Sequence, residues 1–375
     1  MVYAINVIDK IMDDIDQLLK EIDRIDRQLM DLINERARVS KRIGGIKSQQ
    51  NIPVKQNTRE KVVIENVKSL STDISPNNAE IIWKEIMSAC RQVQGEQIKV
   101  AYLGPEGTFT QKAALAFFPK ASTTFIPIER KHEIFQQVEG KYANFGIVPV
   151  ENSIQGSVSD TLDLLIERNL KIYGEIEIRI IHNLIGLPGT KLSQLKTVYS
   201  HPIAISQVSE WIKKNIPQVD FIETVSTASA VRKVAELKDP TKAAIGADIT
   251  ADLYALSILA EGVEDNTANY TRFLVIANKS PEPTGADKTS MVFVTKHIPG
   301  ALFNILKIFA DAKINLAKIE SRPRKFSKDS IWEYIFILDF DEHITKAHEV
   351  IEKVKDQAIW MKILGSYPRC PRLIE

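Results

Sequence analysis

The chain has 375 residues, 44% hydrophobic and 26% charged, enough for two or three domains with cores of their own. Its 49 lysines and arginines stand against 48 acidic residues, so a net charge of +1 supplies no broad field for nucleic acid or anionic lipid, and any anionic ligand has to be held by local cations. No window approaches the ~18 apolar residues of a membrane span, and the first residues lack a basic stretch leading into an apolar run, which points to the cytoplasm. The two cysteines, Cys90 and Cys370, are far apart and lack the spacing of a disulfide framework or a thiolate zinc site; Cys90 falls in an apolar helical pattern and reads as packing.

From Val7 to Gln49 the apolar positions Ile8, Ile11, Ile15, Leu18, Leu19, Ile22, Ile25, Leu29, Leu32, Ile33, Val39, Ile43 and Ile46 recur at spacings of three and four. One amphipathic helix of roughly 60 Å is predicted, too long to be covered by a small domain folding back on itself, so a partner chain is implied. Asn51-Ile52-Pro53 ends it, and helices follow over Thr58–Ser69 and Asn78–Gln94, separated by the turn-rich stretch from Ser71 to Pro76. Arg36 and Lys47, eleven residues and close to three turns apart, share nearly one face of the long helix. A solvated face explains two such cations as well as a binding site does.

At Ile98 the texture changes. "IKVAYLG", "FGIVPV", "LKTVYS" and "KAAIGA" are short β-branched runs separated by helical stretches and ending in polar loops, the pattern of open α/β sheets whose loops line a cleft. This region reaches Asn278. Lys279 to Asp287, "KSPEPTGAD", reads as a linker. Beyond it come a strand (Thr289–Thr295), a helix (Pro299–Ala312), strands at Asn315–Ser321 and Trp332–Asp339, a helix (Lys346–Gln357) and a strand (Trp360–Gly365), an α+β domain of βαββαβ order, ferredoxin-like. The expected organisation is therefore multidomain: an all-α region over 1–95, an α/β region over 98–278 and the α+β region over 288–375.

Four segments in fixed order, "AYLGPEGTFT", "GIVPVENSIQGSVSDTLDLL", "VYSHPIAISQ" and "NYTRFLVI", resemble prephenate dehydratase over about 180 residues. The resemblance implies two α/β lobes, similar to type II periplasmic binding proteins, closing on prephenate. Loss of the ring carboxylate as carbon dioxide and of the 4-hydroxyl as water needs a donor at the departing hydroxyl and cations or amides on the pyruvyl carboxylate. Neither a metal nor another cofactor is called for, because aromatisation drives the reaction. Thr271, in the Thr-Arg-Phe motif, is expected to donate to the leaving hydroxyl, by polarisation within a network since a threonine hydroxyl is a poor acid. By motif position Glu151, Asn152, Ser200 and Gln207 are expected to line the cleft and orient substrate, and amides between Glu151 and Asp160 to bind a carboxylate. Plainer readings stand beside these: Ser153 or Ser157 as helix cap, Asn269 as a turn former, His201 as a turn histidine rather than a base. Arg272 has two readings, a substrate-carboxylate ligand or a brace between lobe and carboxylate partner.

"IDRIDRQLMDLINERARV", then Lys47, Arg59-Glu60 and "WKEIMSACRQVQ", resemble the all-helical chorismate mutase domain often fused ahead of prephenate dehydratase. The pericyclic shift needs only a held chair conformer and charge stabilisation at the ether oxygen. The resemblance implies Arg36 for a carboxylate, Lys47 and Gln94 for the ether oxygen, Glu60 for the ring hydroxyl and Arg59 in support. The sequence departs from that pattern at Leu19, where an arginine reaching into the partner subunit's site is usual and Lys20 is adjacent. It departs again at Cys90, where a serine is expected, and Gln56 falls at a variable position that carries an acid in some members.

"PGALFNILKIFADAKINLAKIESRPRK" with "WEYIFILDF" and "LGSYPR" resembles the ACT regulatory domain of these enzymes. It implies phenylalanine as an allosteric ligand, held between Gly300-Ala301-Leu302 and Glu320-Ser321-Arg322-Pro323 across a subunit interface of a homodimer or tetramer. Each segment alone is also an ordinary helix start or strand end. Two rival functions remain at this point: a dehydratase whose helical region only dimerises, and an amino-acid sensor that catalyses nothing.

Overall fold

The structure, a computed structural model, describes residues 2–50, 57–323 and 334–370, which fall into two compact units: the first 98 residues with Pro119–Thr124, and Lys99–Phe118 with Phe125 onward. The expected helix stop at Asn51-Ile52-Pro53, the variable position Gln56 and the start of the strand at Trp332 lie outside the described residues.

In the first unit the three-and-four spacing gives α1 (Val2–Gln49), 48 residues and so about 72 Å long. Next come α2 (Asn57–Leu70) and α3 (Pro76–Gln92). Ser75 starts α3 by accepting the Asn78 amide, with Pro76 in the first turn, where its missing N–H costs nothing. From Asp14 to Gln49 the covered positions of α1 are Ile33, Arg36, Ala37, Ser40, Gly44 and Lys47, a single stripe. The apolar positions nearer the start of the helix continue the same face, at the same three-and-four spacing, but are left uncovered: Leu18, Leu19, Ile22, Ile25 and Leu29, with Ile43 at its margin, stay 42–61% exposed. Gly44 is the point of closest approach, since a Cβ there would lie 2.9 Å from the Gln94 Cα.

The second unit runs β1 (Ile98–Leu103), α4 (Phe109–Phe117), β2 (Thr123–Ile128), α5 (Lys131–Glu139), β3 (Phe145–Asn152), β4 (Gly156–Ser157), α6 (Ser159–Glu167), β5 (Lys171–Arg179) and β6 (Asn183–Gly186). It continues with β7 (Thr197–Ser200), α7 (Pro202–Gln207), α8 (Ser209–Asn215), β8 (Asp220–Glu223), α9 (Thr227–Leu237), β9 (Lys242–Gly246), α10 (Asp248–Leu253), β10 (Ser257–Ala260) and β11 (Tyr270–Ala277). Two sheets result, ordered β2-β1-β3-β11-β5, with β4 beside β3, and β10-β6-β9-β7-β8. These are two lobes. The chain crosses between them after β5 and again before β11, and the crossings are tied to each other: the Ile180 amide donates to the Asn269 carbonyl and the Val263 amide to the His182 carbonyl, both at 2.8 Å. The returning strand β11 inserts between β3 and β5, antiparallel to both.

The remaining chain forms β12 (Asp287–Thr295), α11 (Ala301–Asp311), β13 (Leu316–Pro323), β14 (Tyr334–Asp341), α12 (His348–Gln357) and β15 (Ala358–Pro368), in βαββαβ order, with sheet order β13-β14-β12-β15. One face packs on α11 and α12 through Phe293, Phe309, Leu338 and Phe340. The other shares a core with the first lobe, in which Val292, Ile335, Ile337 and Leu364 meet Leu162, Leu165, Ile172 and Leu274. Both faces of β12 are therefore buried, as its burial pattern and the apolar run from Met291 to Val294 reflect. At Gly365 the backbones of β15 and β5 touch, a Cβ there falling 2.4 Å from the Ile172 carbonyl oxygen. Lys362 reaches out of β15 to the carbonyls of Leu165, Ile166 and Arg168 at 2.6–3.0 Å, taking up acceptors that the end of α6 leaves unpaired. The segment read as a linker is followed by a sheet docked firmly on the lobe.

Candidate active site

The strand β11 carries two neighbouring side chains that, by the two-residue period of a strand, face opposite ways. Thr271 lies opposite Asn152 of β3, and the Asn152 Nδ2 donates to Thr271 Oγ1 (3.0 Å), to the Tyr270 carbonyl (3.1 Å) and to Asn269 Oδ1 (2.8 Å). The Asn152 Oδ1 accepts the Ile154 and Gln155 amides, each at 3.0 Å, so the turn after β3 fixes this side chain. Asn269 in turn donates to Gln207 Oε1 (3.2 Å), the last residue of α7, and His182 Nε2 lies 2.8 Å from the same oxygen. Residues from β3, α7 and both crossings thus meet at the hinge between the lobes. The Thr271 oxygen accepts from Asn152, and its own hydrogen has no acceptor among the described residues. A hydroxyl so placed is oriented and still able to donate.

Ser200 and Glu151 stand differently. The Ser200 hydroxyl is fully buried and donates to the Ile245 carbonyl at 3.1 Å, pinning β7 to β9. Glu151 is partly exposed, 3.0 Å from Lys318 of β13. His201 caps α7 through its Nδ1, which accepts the Ile203 amide, the turn role that its Pro202 neighbour suggested. Ser153 exchanges bonds with the Ala268 carbonyl and the Tyr270 amide and so ties the turn to the second crossing.

Arg272 corrects one expectation: it is a brace and does not offer its guanidinium to a ligand. Its Nε donates to Glu175 (2.7 Å), one Nη to Asp339 (2.9 Å) and the other to the Tyr367 hydroxyl (3.0 Å), with Glu151 at 3.6 Å. The donor directions close into a ring. Ser290 gives its proton to Asp339 (2.6 Å), so it accepts from Tyr367 (2.6 Å), whose oxygen accepts from Arg272. Burial raises the Tyr367 phenol well above its ordinary range, which keeps that donor protonated. Lys288 on Glu175 (2.7 Å) balances the second buried anion. Glu175, Asp339, Tyr367 and Lys288 were not read from the sequence, because nothing local marks a charge as destined for burial between domains.

In the helical unit, Arg36 and Lys47 lie half-buried on the covered stripe of α1, and Gly44, one turn before Lys47, abuts Gln94. Gln94 Nε2 donates to the Cys90 carbonyl (3.2 Å), while its Oε1 is buried with no partner among the described residues. Glu60 accepts from Arg91, a buried cation the sequence reading passed over, which also holds Glu96 at 2.8 Å. Arg59 is exposed in the first turn of α2. Leu19 and Lys20 are both exposed.

In the C-terminal sheet, Gly300 adopts φ +82 at the start of α11, and Gly300, Ala301 and Leu302 edge a surface depression with Lys296 and Ile298. The end of β13 lies at the same end of the sheet, since Pro323 pairs with Tyr334 and Val294 with Ile335. There Glu320 accepts from Ser157 (2.5 Å) and pairs with Lys318, while Arg322 holds Asp163 and the Ser159 carbonyl, both at 3.1 Å. Ser321 and Pro323 are exposed. No grouping of His, Cys, Asp and Glu able to hold a metal, and no helix long and apolar enough to cross a membrane, occurs among the described residues.

Two cleft-forming lobes with a hydroxyl and amides at the hinge, preceded by helices and followed by a docked α+β sheet, define a multidomain α/β enzyme class, and known proteins narrow it. Residues 100–281 match the prephenate dehydratase family and residues 18–95 the chorismate mutase type II family. The bifunctional chorismate mutase/prephenate dehydratase of Aquifex aeolicus (strain VF5) is 42% identical over 367 residues, 96% of this chain and 99% of that one. A crystal structure of prephenate dehydratase in complex with L-Phe from Arthrobacter aurescens matches with a TM-score of 0.66 at 33% identity, over 74% of this chain and 93% of that one. A structure described as a novel type of quorum quenching acylase matches with the same TM-score at 28% identity, over 73% and 98%, so the fold alone does not fix the reaction. The near full-length match does: the chain belongs to the family of bifunctional chorismate mutase/prephenate dehydratases.

Proposed function

We propose that this protein rearranges chorismate to prephenate in its helical domain (1–95) and converts prephenate to phenylpyruvate in the two-lobed domain (98–278), with phenylalanine as feedback ligand of an ACT-type domain (288–375). The observation that carries the dehydratase step is the Thr271 hydroxyl at the hinge, oriented by Asn152 and retaining an unused proton. In the reaction the bond from the ring to its carboxylate breaks and carbon dioxide leaves. That electron pair completes the aromatic ring as the C4–O bond breaks, and the departing hydroxyl leaves as water with a proton. Thr271 polarises that hydroxyl, and the proton it gives is restored from solvent. Gln207 orients substrate through its amide, Asn152 acts through Thr271 and Asn269, which it holds, and Ser200 acts one step back, by holding the strand end that leads into α7. Glu151, held by Lys318, forms the cleft wall nearest the C-terminal sheet.

For the first step, Arg36 and Lys47 supply the cations, Gln94 an amide, Glu60 the acceptor for the ring hydroxyl, and Arg59 a supporting charge. The exposed apolar residues in the first part of α1, Leu18 to Leu29, support a homodimer, or a tetramer built from it, as the working form. Phenylalanine, bound where Gly300-Ala301-Leu302 and Glu320 to Pro323 share one end of the sheet, reaches the dehydratase lobe through the Ser157–Glu320 and Asp163–Arg322 contacts. A cytoplasmic location suits such a biosynthetic enzyme.

The test uses purified full-length protein and its Thr271→Ala variant. Wild type is expected to consume chorismate and to form phenylpyruvate from prephenate, with inhibition by phenylalanine. The variant is expected to bind prephenate yet turn it over about 10²–10³-fold more slowly. No phenylpyruvate from the wild type ends the dehydratase reading, and prephenate consumed with chorismate untouched confines the helices to assembly.

A further inference from the structure

The hydrogen-bond directions at the hinge can be followed from atoms that have no choice. The amides of Ile154 and Gln155 can only donate, and both meet the same Asn152 oxygen. Asn152 therefore presents its amino group to Asn269, and the Tyr270 carbonyl, which can only accept, agrees. Asn269 must then accept with its oxygen and give its amino group to Gln207, whose Oε1 becomes an acceptor. An acceptor 2.8 Å from His182 Nε2 requires the proton to be on that nitrogen.

We infer that His182 is a positioning residue of this site, acting as the neutral Nε2–H tautomer to lock the Gln207 carboxamide with its amino group turned toward substrate. His182 and Asn269 together occupy both lone pairs of Gln207 Oε1. The Gln207 amino group has no partner among the described residues, so it is the one donor the network leaves over at that end, as the Thr271 hydroxyl is at the other. The ring itself is held firmly. His182 is 3% exposed, its amide donates to Glu264 (2.9 Å), its carbonyl accepts from Val263, and its ring meets Phe109 edge-on at 5.7 Å. Its Nδ1 is buried without a partner, a place where an added N–H would be unsatisfied. The sequence gives no hint of this role, since His182 falls in none of the motifs.

The kinetic arm rests on the dehydratase reading; the spectroscopic arm does not. In full-length protein with ¹⁵N-labelled histidine, the signal absent from His182→Gln is expected to show a protonated Nε2 and a bare Nδ1 at neutral pH. His182→Phe keeps a ring against Phe109 and removes the donor, and its kcat for prephenate is expected to fall about tenfold or more. His182→Gln restores an N–H near the Nε2 position and is expected to return to within a few-fold of wild type, a rescue that a merely space-filling role does not predict. An Nδ1–H tautomer, or His182→Phe with unchanged kcat, overturns the inference. Wild-type protein inert toward prephenate, with the Nε2–H tautomer present, instead overturns the dehydratase reading and leaves the tautomer standing.

Discussion

The two candidate sites follow opposite plans. At the hinge of the two-lobed region the polar groups come from β3, α7 and both crossings, and their hydrogen bonds converge on the Gln207 oxygen within a single chain. In the helical unit one face of α1 carries the covered Arg36, Ser40, Gly44 and Lys47 and, nearer its start, the exposed Leu18, Ile22, Ile25 and Leu29. That face is covered at one end of the helix and left apolar and open at the other. The first network is complete within one fold, and the second lies on a face that the same chain covers only in part.

The comparison is broken most directly at Arg272. Arg272→Met leaves Glu175 and Asp339 short of a partner inside the lobe interface, and urea unfolding is expected to show a loss of about 3–5 kcal/mol. A loss near zero shows that the ring does not hold the sheet to the lobe. Next comes the uncovered part of the α1 stripe. Ile25→Asp with Leu29→Asp removes two apolar contacts worth about 1.5–3 kcal/mol each, so dimer affinity is expected to fall by roughly 10²–10⁴-fold in sedimentation. Chorismate consumption goes with it, while phenylpyruvate formation persists; joint loss of both activities means that the hinge site also depends on assembly.

Gly44→Ala forces a methyl against Gln94, with an expected cost of about 1–3 kcal/mol confined to the helical unit and a matching fall in chorismate turnover. A smaller effect concerns pH. Burial lowers the His182 pKa below its ordinary 6.5, opposed by its bond to Gln207 and by Glu264, which Arg179 faces at 3.9 Å. The folded chain refuses a proton that the unfolded chain takes up below 6.5, so this contribution is complete above that pH and falls as the solution is acidified. The slope is at most about 1.4 kcal/mol per pH unit, and its disappearance in His182→Gln checks it. Leu19→Arg is expected to change least: a several-fold rise in chorismate turnover at constant prephenate turnover, and no rise means that Lys20 or another cation already serves there.

Much of this protein is legible from local pattern. The three-and-four spacing of Ile15 to Ile46 dictates the long helix and its apolar face, because a helix repeats every 3.6 residues whatever surrounds it. The short β-branched runs and the βαββαβ order follow from equally local rules, and the ordered motifs bring Asn152, Gln207 and Thr271 forward as candidates. What the tertiary structure alone decided are pairings between residues distant in sequence. The insertion of β11 between β3 and β5 sends Thr271 to the hinge and its neighbour Arg272 into the domain interface, a division no reading of "NYTRF" contains. Docking of β15 on β5 at Gly365 turns a sheet behind an apparent linker into part of the lobe's core. His182 shows the limit most clearly, because no motif marks it and its partner, Gln207, is 25 residues away. A tautomer is set by whichever atom faces the ring, and only folding brings that atom there.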